Sequence, residues 1–189
     1  MRSFIALPLP EDALTMLEEL QRPMLDLGAD VRWTPIESLH LTVKFLGEIE
    51  PSLLPLLADG VRRAVANSGV FSLRLHGLGA FPNLRSPNIL WCGVQGDIER
   101  LQALQQAVES ACAQLGFASE QRPFRPHLTL GRIRSRRNLR PLLNCIRINS
   151  PLECVTAIER INIYQSSLSP RGAIHKILES FTLGGGDTA

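Results

Sequence analysis

Apolar and polar positions along the chain follow two periods, and each change of period marks an element. Residues 3–8, Ser-Phe-Ile-Ala-Leu-Pro, are nearly continuous apolar chain and predict a buried strand. Over residues 11–27, Ala13, Leu17, Leu20, Met24 and Leu27 recur at helical spacing, with a kink expected at Pro23. Strands are predicted at 31–34 and 40–46, and then a helix opening at Pro51 with Leu54, Leu57, Val61 and Val65 on one face. Residues 70–76 alternate cleanly, with Phe71, Leu73 and Leu75 on one side and Ser72, Arg74 and His76 on the other. Another apolar strand is expected at 88–95. Asp97 then reads as the cap of a helix carrying Ile98, Leu101, Gln105, Val108, Cys112 and Leu115. Further strands are expected at 127–133, 160–164 and 174–183, with a short helix at 139–146 opened by Asn138. Helices and hairpin-like strand pairs interleave, so the class is α+β.

No linker or low-complexity stretch divides the 189 residues. Residues 1–183 are expected to form one domain whose halves share a core or a cleft. The glycine-rich residues 184–189 read as a flexible tail. With 44% hydrophobic and 20% charged residues, the composition is that of an ordinary globular protein. A net charge of +2 argues against a protein that coats nucleic acid by bulk charge, while leaving room for a local basic cleft. The apolar runs are too short to cross a bilayer or to serve as a secretory signal, so a cytoplasmic location is expected. Cys92, Cys112, Cys145 and Cys154 are widely spaced, with no Cys-x-x-Cys pair, and read as filler in a reducing compartment.

One pattern stands out from this background. Residues 39–46 read Leu-His-Leu-Thr-Val-Lys-Phe-Leu, and residues 126–133 read Pro-His-Leu-Thr-Leu-Gly-Arg-Ile. His-Leu-Thr-apolar therefore occurs once in each half of a chain that has four histidines. On a strand, His40 and Thr42 share one face, as do His127 and Thr129, while Leu41, Val43 and Phe45 share the other face of the first copy. Two facing imidazoles suit proton transfer at both ends of a displacement: one accepts a proton from the attacking oxygen and the other donates one to the departing oxygen. The threonine hydroxyls suit the charged oxygens of a phosphoryl group. No Gly-x-Ser-x-Gly turn, phosphate-binding glycine loop or histidine–carboxylate spacing for zinc accompanies them.

These residues and their flanks resemble the two-histidine phosphoesterases, and in detail the LigT-like RNA 2′,3′-cyclic phosphodiesterases, also called 2′-5′ RNA ligases. The similarity runs through Phe4-Ile-Ala-Leu-Pro, Val31-Arg-Trp-Thr-Pro, both motifs, Ile89-Leu-Trp-Cys-Gly, Phe124-Arg-Pro-His and Ser166-Ser-Leu-Ser-Pro-Arg-Gly. The resemblance implies two pseudo-symmetric lobes, each an antiparallel sheet with helices outside and the active-site groove between them. It implies opening of a 2′,3′-cyclic phosphate at an RNA end to a 2′-phosphate, with joining of RNA ends as the reverse reaction in some members. No metal and no other cofactor is implied, and no obligate protein partner or membrane. It also assigns His127 as the base toward water and His40 as the acid toward O3′, a choice the near-symmetric motifs do not make.

Thr42, Thr129 and Arg132 are then the expected phosphate contacts, although Arg132 reaches the face of His127 only if the strand twists or bulges near Gly131. Lys44, on the face of His40, and Trp33 and Phe81, as stacking surfaces, are candidates for substrate contact. Arg134, Arg136, Arg137 and Arg140 read as a solvated loop, and His76 as exposed. The sequence departs from the family at Pro87-Asn88 and at His175, where tyrosine is frequent; His175 is expected to be structural or at the surface. Two alternatives carry different chemistry: a nucleic-acid-binding module without turnover, and a phosphodiesterase for a small cyclic nucleotide such as ADP-ribose 1″,2″-cyclic phosphate.

Overall fold

A computed structural model describes residues 1–148, 153–169 and 172–184. Nine strands and four helices follow one another in these residues: β1 (Arg2–Pro8), α1 (Glu11–Asp26), β2 (Val31–Trp33), β3 (His40–Glu48), α2 (Leu54–Val65), β4 (Phe71–Phe81), β5 (Ile89–Gly96), α3 (Ile98–Gln114), β6 (His127–Ile133), α4 (Leu139–Ile148), β7 (Glu153–Ile158), β8 (Arg160–Ser169) and β9 (Gly172–Thr182). All pairings are antiparallel, in the order β7-β4-β5-β6-β3-β1-β8-β9, with β2 set against β6.

The order is symmetric about its centre. The two motif strands β3 and β6 lie side by side, joined through Leu41 opposite Leu128. Outward from each comes the strand linked to it by a helix: β1–α1–β3 in one half and β5–α3–β6 in the other. The expected two-lobed antiparallel architecture is present, and the lobes are halves of one sheet. Their helices cross over. α1 and α4 pack together against β7 and β4, while α2 and α3 pack together against β3 and β9. One apolar core therefore runs under both halves, drawing on Leu17, Leu57, Val61, Leu104, Leu128 and Leu142 among others. Both motif strands bury their leucines in it and keep the histidine and threonine face for the groove.

Local chemistry explains where the elements end. α1 stops at Gly28, whose φ of +62° suits a residue without a side chain. Asn138 stands directly before α4, as expected, with a φ of +51°. Its Nδ2 donates to the carbonyls of Leu27 and Gly28, at 3.2 Å each, and so closes the end of α1. Asp97 stands at the N-cap position of α3 as expected, but its side chain makes no capping hydrogen bond: its carboxylate accepts the Ser72 amide at 3.0 Å and ties α3 to β4. On α3 it is Leu104, not Gln105, that occupies the core. β7 is absent from the sequence pattern because Thr156 turns inward while Val155 is 64% exposed, which inverts the usual alternation. Of the tail expected at 184–189, all but Gly184 lies outside the described residues, as do Pro170 and Arg171 of the Ser166–Gly172 stretch.

Candidate active site

Antiparallel pairing about Leu41 and Leu128 turns His40 toward Thr129 and Thr42 toward His127 on one face of the sheet. All four line a groove of about 590 Å³. Each ring is anchored in the same way. His40 Nδ1 lies 2.7 Å from the Ser38 carbonyl and His127 Nδ1 lies 2.8 Å from the Arg125 carbonyl, in both cases two residues back along the chain. A carbonyl only accepts, so each Nδ1 carries the proton and donates it, which leaves Nε2 as the ring nitrogen free for chemistry.

The two imidazoles differ in what backs them. Phe4 of β1 stacks on His40 at 4.7 Å, and Tyr164 of β8 packs against both rings, 5.1 Å from Phe4 and 6.0 Å from His40. His175 of β9 meets His40 edge-on at 5.2 Å. Burial under these rings pushes the His40 pKa down to about 4; the Ser38 carbonyl opposes this and His175 adds to it. His40 is therefore a neutral imidazole in the free groove near neutrality. His127 instead meets Phe81 edge-on at 5.0 Å.

Both motif strands carry a bulge at the same place. In β3, Ala6 pairs with Thr42 and Ile5 with Lys44, so Val43 is the extra residue. In β6, Trp91 pairs with Thr129 and Leu90 with Gly131, so Leu130 is extra. Each bulge reverses the alternation beyond it. Arg132 consequently lines the groove with His127 and Thr129. Gly131 permits the close packing of β2, since a Cβ there would sit 2.7 Å from Val31 Cγ1 and 3.2 Å from Trp33.

The same reversal overturns the expectation for Lys44. It turns away from the groove, is 5% exposed, and donates to Glu109 of α3 at 2.5 Å and to the Ala118 carbonyl at 2.6 Å. Phe45, 69% exposed, takes the groove position instead. Trp33 lines the groove, whereas Phe81 lines a neighbouring cavity on the other side of His127. Arg134, Arg136, Arg137 and Arg140 line neither.

Four further groove residues escape a reading of the sequence. Arg2 and Phe4 arrive with β1, Arg32 with β2, and Ser166 with β8, where it pairs with His175. His175 itself, expected to be structural or at the surface, belongs to the lining. Arg32 sits directly across from Arg132 in the β2–β6 register, a signal that depends on knowing the pairing. Among the described residues the lining thus contains three arginines and three histidines and no carboxylate, which suits an anionic ligand. Among the described residues no group of three or more His, Cys, Asp or Glu side chains gathers to hold a metal ion. Cys92 and Cys112 are buried, which pushes their thiols up to about 12 and about 11 and makes them poor nucleophiles.

Comparison with known proteins agrees with this geometry. Over 187 residues the chain is 32% identical to a Thermotoga maritima protein named RNA 2′,3′-cyclic phosphodiesterase, covering 98% of this chain and 97% of that one. An Aeropyrum pernix protein of the same name is 33% identical over 164 residues, 86% and 92% of the two chains. Among solved structures, a Thermus thermophilus protein superposes with a TM-score of 0.81 at 25% identity, over 99% of this chain and 100% of that one. Escherichia coli LigT complexed with 3′-AMP superposes with a TM-score of 0.77 at 25% identity, over 97% and 98%. The 2′-5′ RNA ligase superfamily matches residues 10–167, a span that holds both histidine strands and the helices between them, and the chain belongs to that superfamily.

Proposed function

We propose that this protein opens 2′,3′-cyclic phosphates at RNA ends and leaves a 2′-phosphate, using His40 and His127 as its acid and base. One observation carries the reading: the two His-x-Thr strands meet antiparallel in a groove that no carboxylate lines among the described residues, each histidine held by Nδ1 with Nε2 free. The name of the Thermotoga maritima relative supports the reaction.

The cyclic phosphate sits between the imidazoles, its charged oxygens on Thr42, Thr129 and Arg132. Water attacks phosphorus in line with O3′. His127 Nε2 takes the proton from water as the new P–O bond forms, and His40 Nε2 gives a proton to O3′ as the P–O3′ bond breaks. His40 is neutral in the free groove and so takes up its proton when the anionic phosphate arrives beside it, because a nearby negative charge favours the imidazolium. Each such proton transfer contributes roughly 10²–10⁴ in rate. Positive charge from Arg2, Arg32 and Arg132 draws in the polyanion.

The test is incubation of the protein with an oligonucleotide ending in a 2′,3′-cyclic phosphate, in excess EDTA and without ATP, followed by assignment of the product phosphate. A 2′-phosphate formed at an undiminished rate is expected. A 3′-phosphate as sole product would reverse the substrate and exchange the two histidine roles. Binding without turnover would favour an RNA-binding module, and turnover confined to small cyclic nucleotides would move the substrate class.

A further inference from the structure

His127 separates two spaces. On one side lies the groove; on the other lies a cavity of about 420 Å³ lined by Phe81, Trp91, Arg125 and His76, again with no carboxylate among the described lining residues. We propose that this cavity is a second nucleoside subsite, which seats the 5′-hydroxyl partner when an RNA end is joined rather than hydrolysed. The proposal rests on the function proposed above, in which His127 is the base toward the attacking oxygen.

The walls are built for a base. Phe81 touches the His127 ring edge-on at 5.0 Å and lies 5.4 Å from Trp91. The indole of Trp91 lies against Gly79, where a Cβ would come within 2.3 Å of the ring, so the glycine is what lets the ring lie there. Trp91 Nε1 is buried and has no hydrogen-bond partner among the described residues. Aromatic faces beside an exposed guanidinium suit stacking of a base with a phosphate alongside, and the space is large enough for a nucleoside. Arg125 ties the cavity to the chemistry, because its carbonyl holds His127 Nδ1 while its side chain lines the wall.

An acceptor seated here places its O5′ where water otherwise attacks. The O5′–P bond forms and its proton passes to His127; the P–O3′ bond breaks and O3′ takes a proton from His40. The product is a 2′–5′ phosphodiester, and no water is consumed. The cavity, by holding or lacking an acceptor, decides between joining and hydrolysis.

A nucleoside 2′,3′-cyclic phosphate is supplied with rising concentrations of a dinucleotide bearing a free 5′-hydroxyl, and joined and hydrolysed products are counted together. The joined-to-hydrolysed ratio is expected to rise and saturate in the wild type. It should fall tenfold or more in Trp91→Ala and in Arg125→Ala, and Trp91→Phe should keep most of it. The ratio cancels any loss of folded protein, and the exposed Arg125 side chain can be removed without disturbing the core. An unchanged ratio in both alanine variants overturns the proposal. So does a wild type that hydrolyses but forms no joined product at any acceptor concentration, or an equal loss of hydrolysis and joining. A wild type that turns over no cyclic phosphate overturns the underlying reading as well.

Discussion

An imidazole held by Nδ1 on a carbonyl has one nitrogen left to work with, and its protonation then decides when the site is active. His40 is held at about 4 by burial, so in the free groove it carries the proton it is to donate only below about that pH. Its ring signals in the free protein are therefore expected to titrate near pH 4 by NMR, well under the ordinary histidine value of about 6.5. With phosphate bound the midpoint should lie at higher pH, because the nearby negative charge raises His40. His175→Ala opens His40 to water and removes a neighbouring imidazole, so its midpoint should also move up; NMR titrations of the two proteins check this, and an unmoved midpoint would reject the cause assigned to the shift. Thr42→Ala and Thr129→Ala each remove one hydrogen bond to phosphate and leave proton transfer intact. Each should slow turnover by roughly 10–10² in single-turnover assays, at or below the lower limit of the roughly 10²–10³ that loss of one oxyanion donor costs. At this scale the sequence shows the paired histidines and threonines, since alternation over three residues needs no tertiary knowledge. Arg2, Arg32 and Phe4 are invisible in it because sheet pairing alone brings them to the groove.

Elements carry the next layer, and here the bulges at Val43 and Leu130 decide which side chains the groove receives. A sequence read with strict period two puts Lys44 in the groove and Phe45 in the core, and a single extra residue exchanges them. The displaced lysine forms a buried ion pair that pins β3 to α3, with Glu109 also accepting the Glu120 amide at 2.9 Å. Lys44→Ala would leave the Glu109 carboxylate uncompensated and is expected to lower unfolding free energy by about 3–5 kcal/mol. Pairing Lys44→Met with Glu109→Leu should recover most of that loss. Urea titration of the wild type and both variants measures the two effects, and a Lys44→Ala protein as stable as the wild type would mean that the pair is not closed in solution. Arg132 shows the same rule from the other side: its groove position follows from the sequence only on condition of a bulge, and the bulge is one residue before Gly131.

For the whole molecule, the α+β class and the repeated half are legible because helix and strand periods are local and the motif repeats in order. The union of the two halves into one sheet is not, because it rests on Leu41 opposite Leu128, and the crossing of helices over the opposite half has no local signature. Net charge misleads in the same way. An overall +2 conceals a groove whose described lining has three arginines and no carboxylate. One displacement needs a histidine from each half at once. Turnover of a 2′,3′-cyclic-phosphate oligonucleotide by His40→Ala, His127→Ala and the double variant, each shown by thermal unfolding to be folded, tests this most directly. Each single variant should lose about 10²–10⁴ in rate. The double variant should be little worse than either, because the two imidazoles serve the same step. Near-wild-type turnover in either folded single variant, or losses that simply multiply in the double, would contradict a concerted two-histidine mechanism.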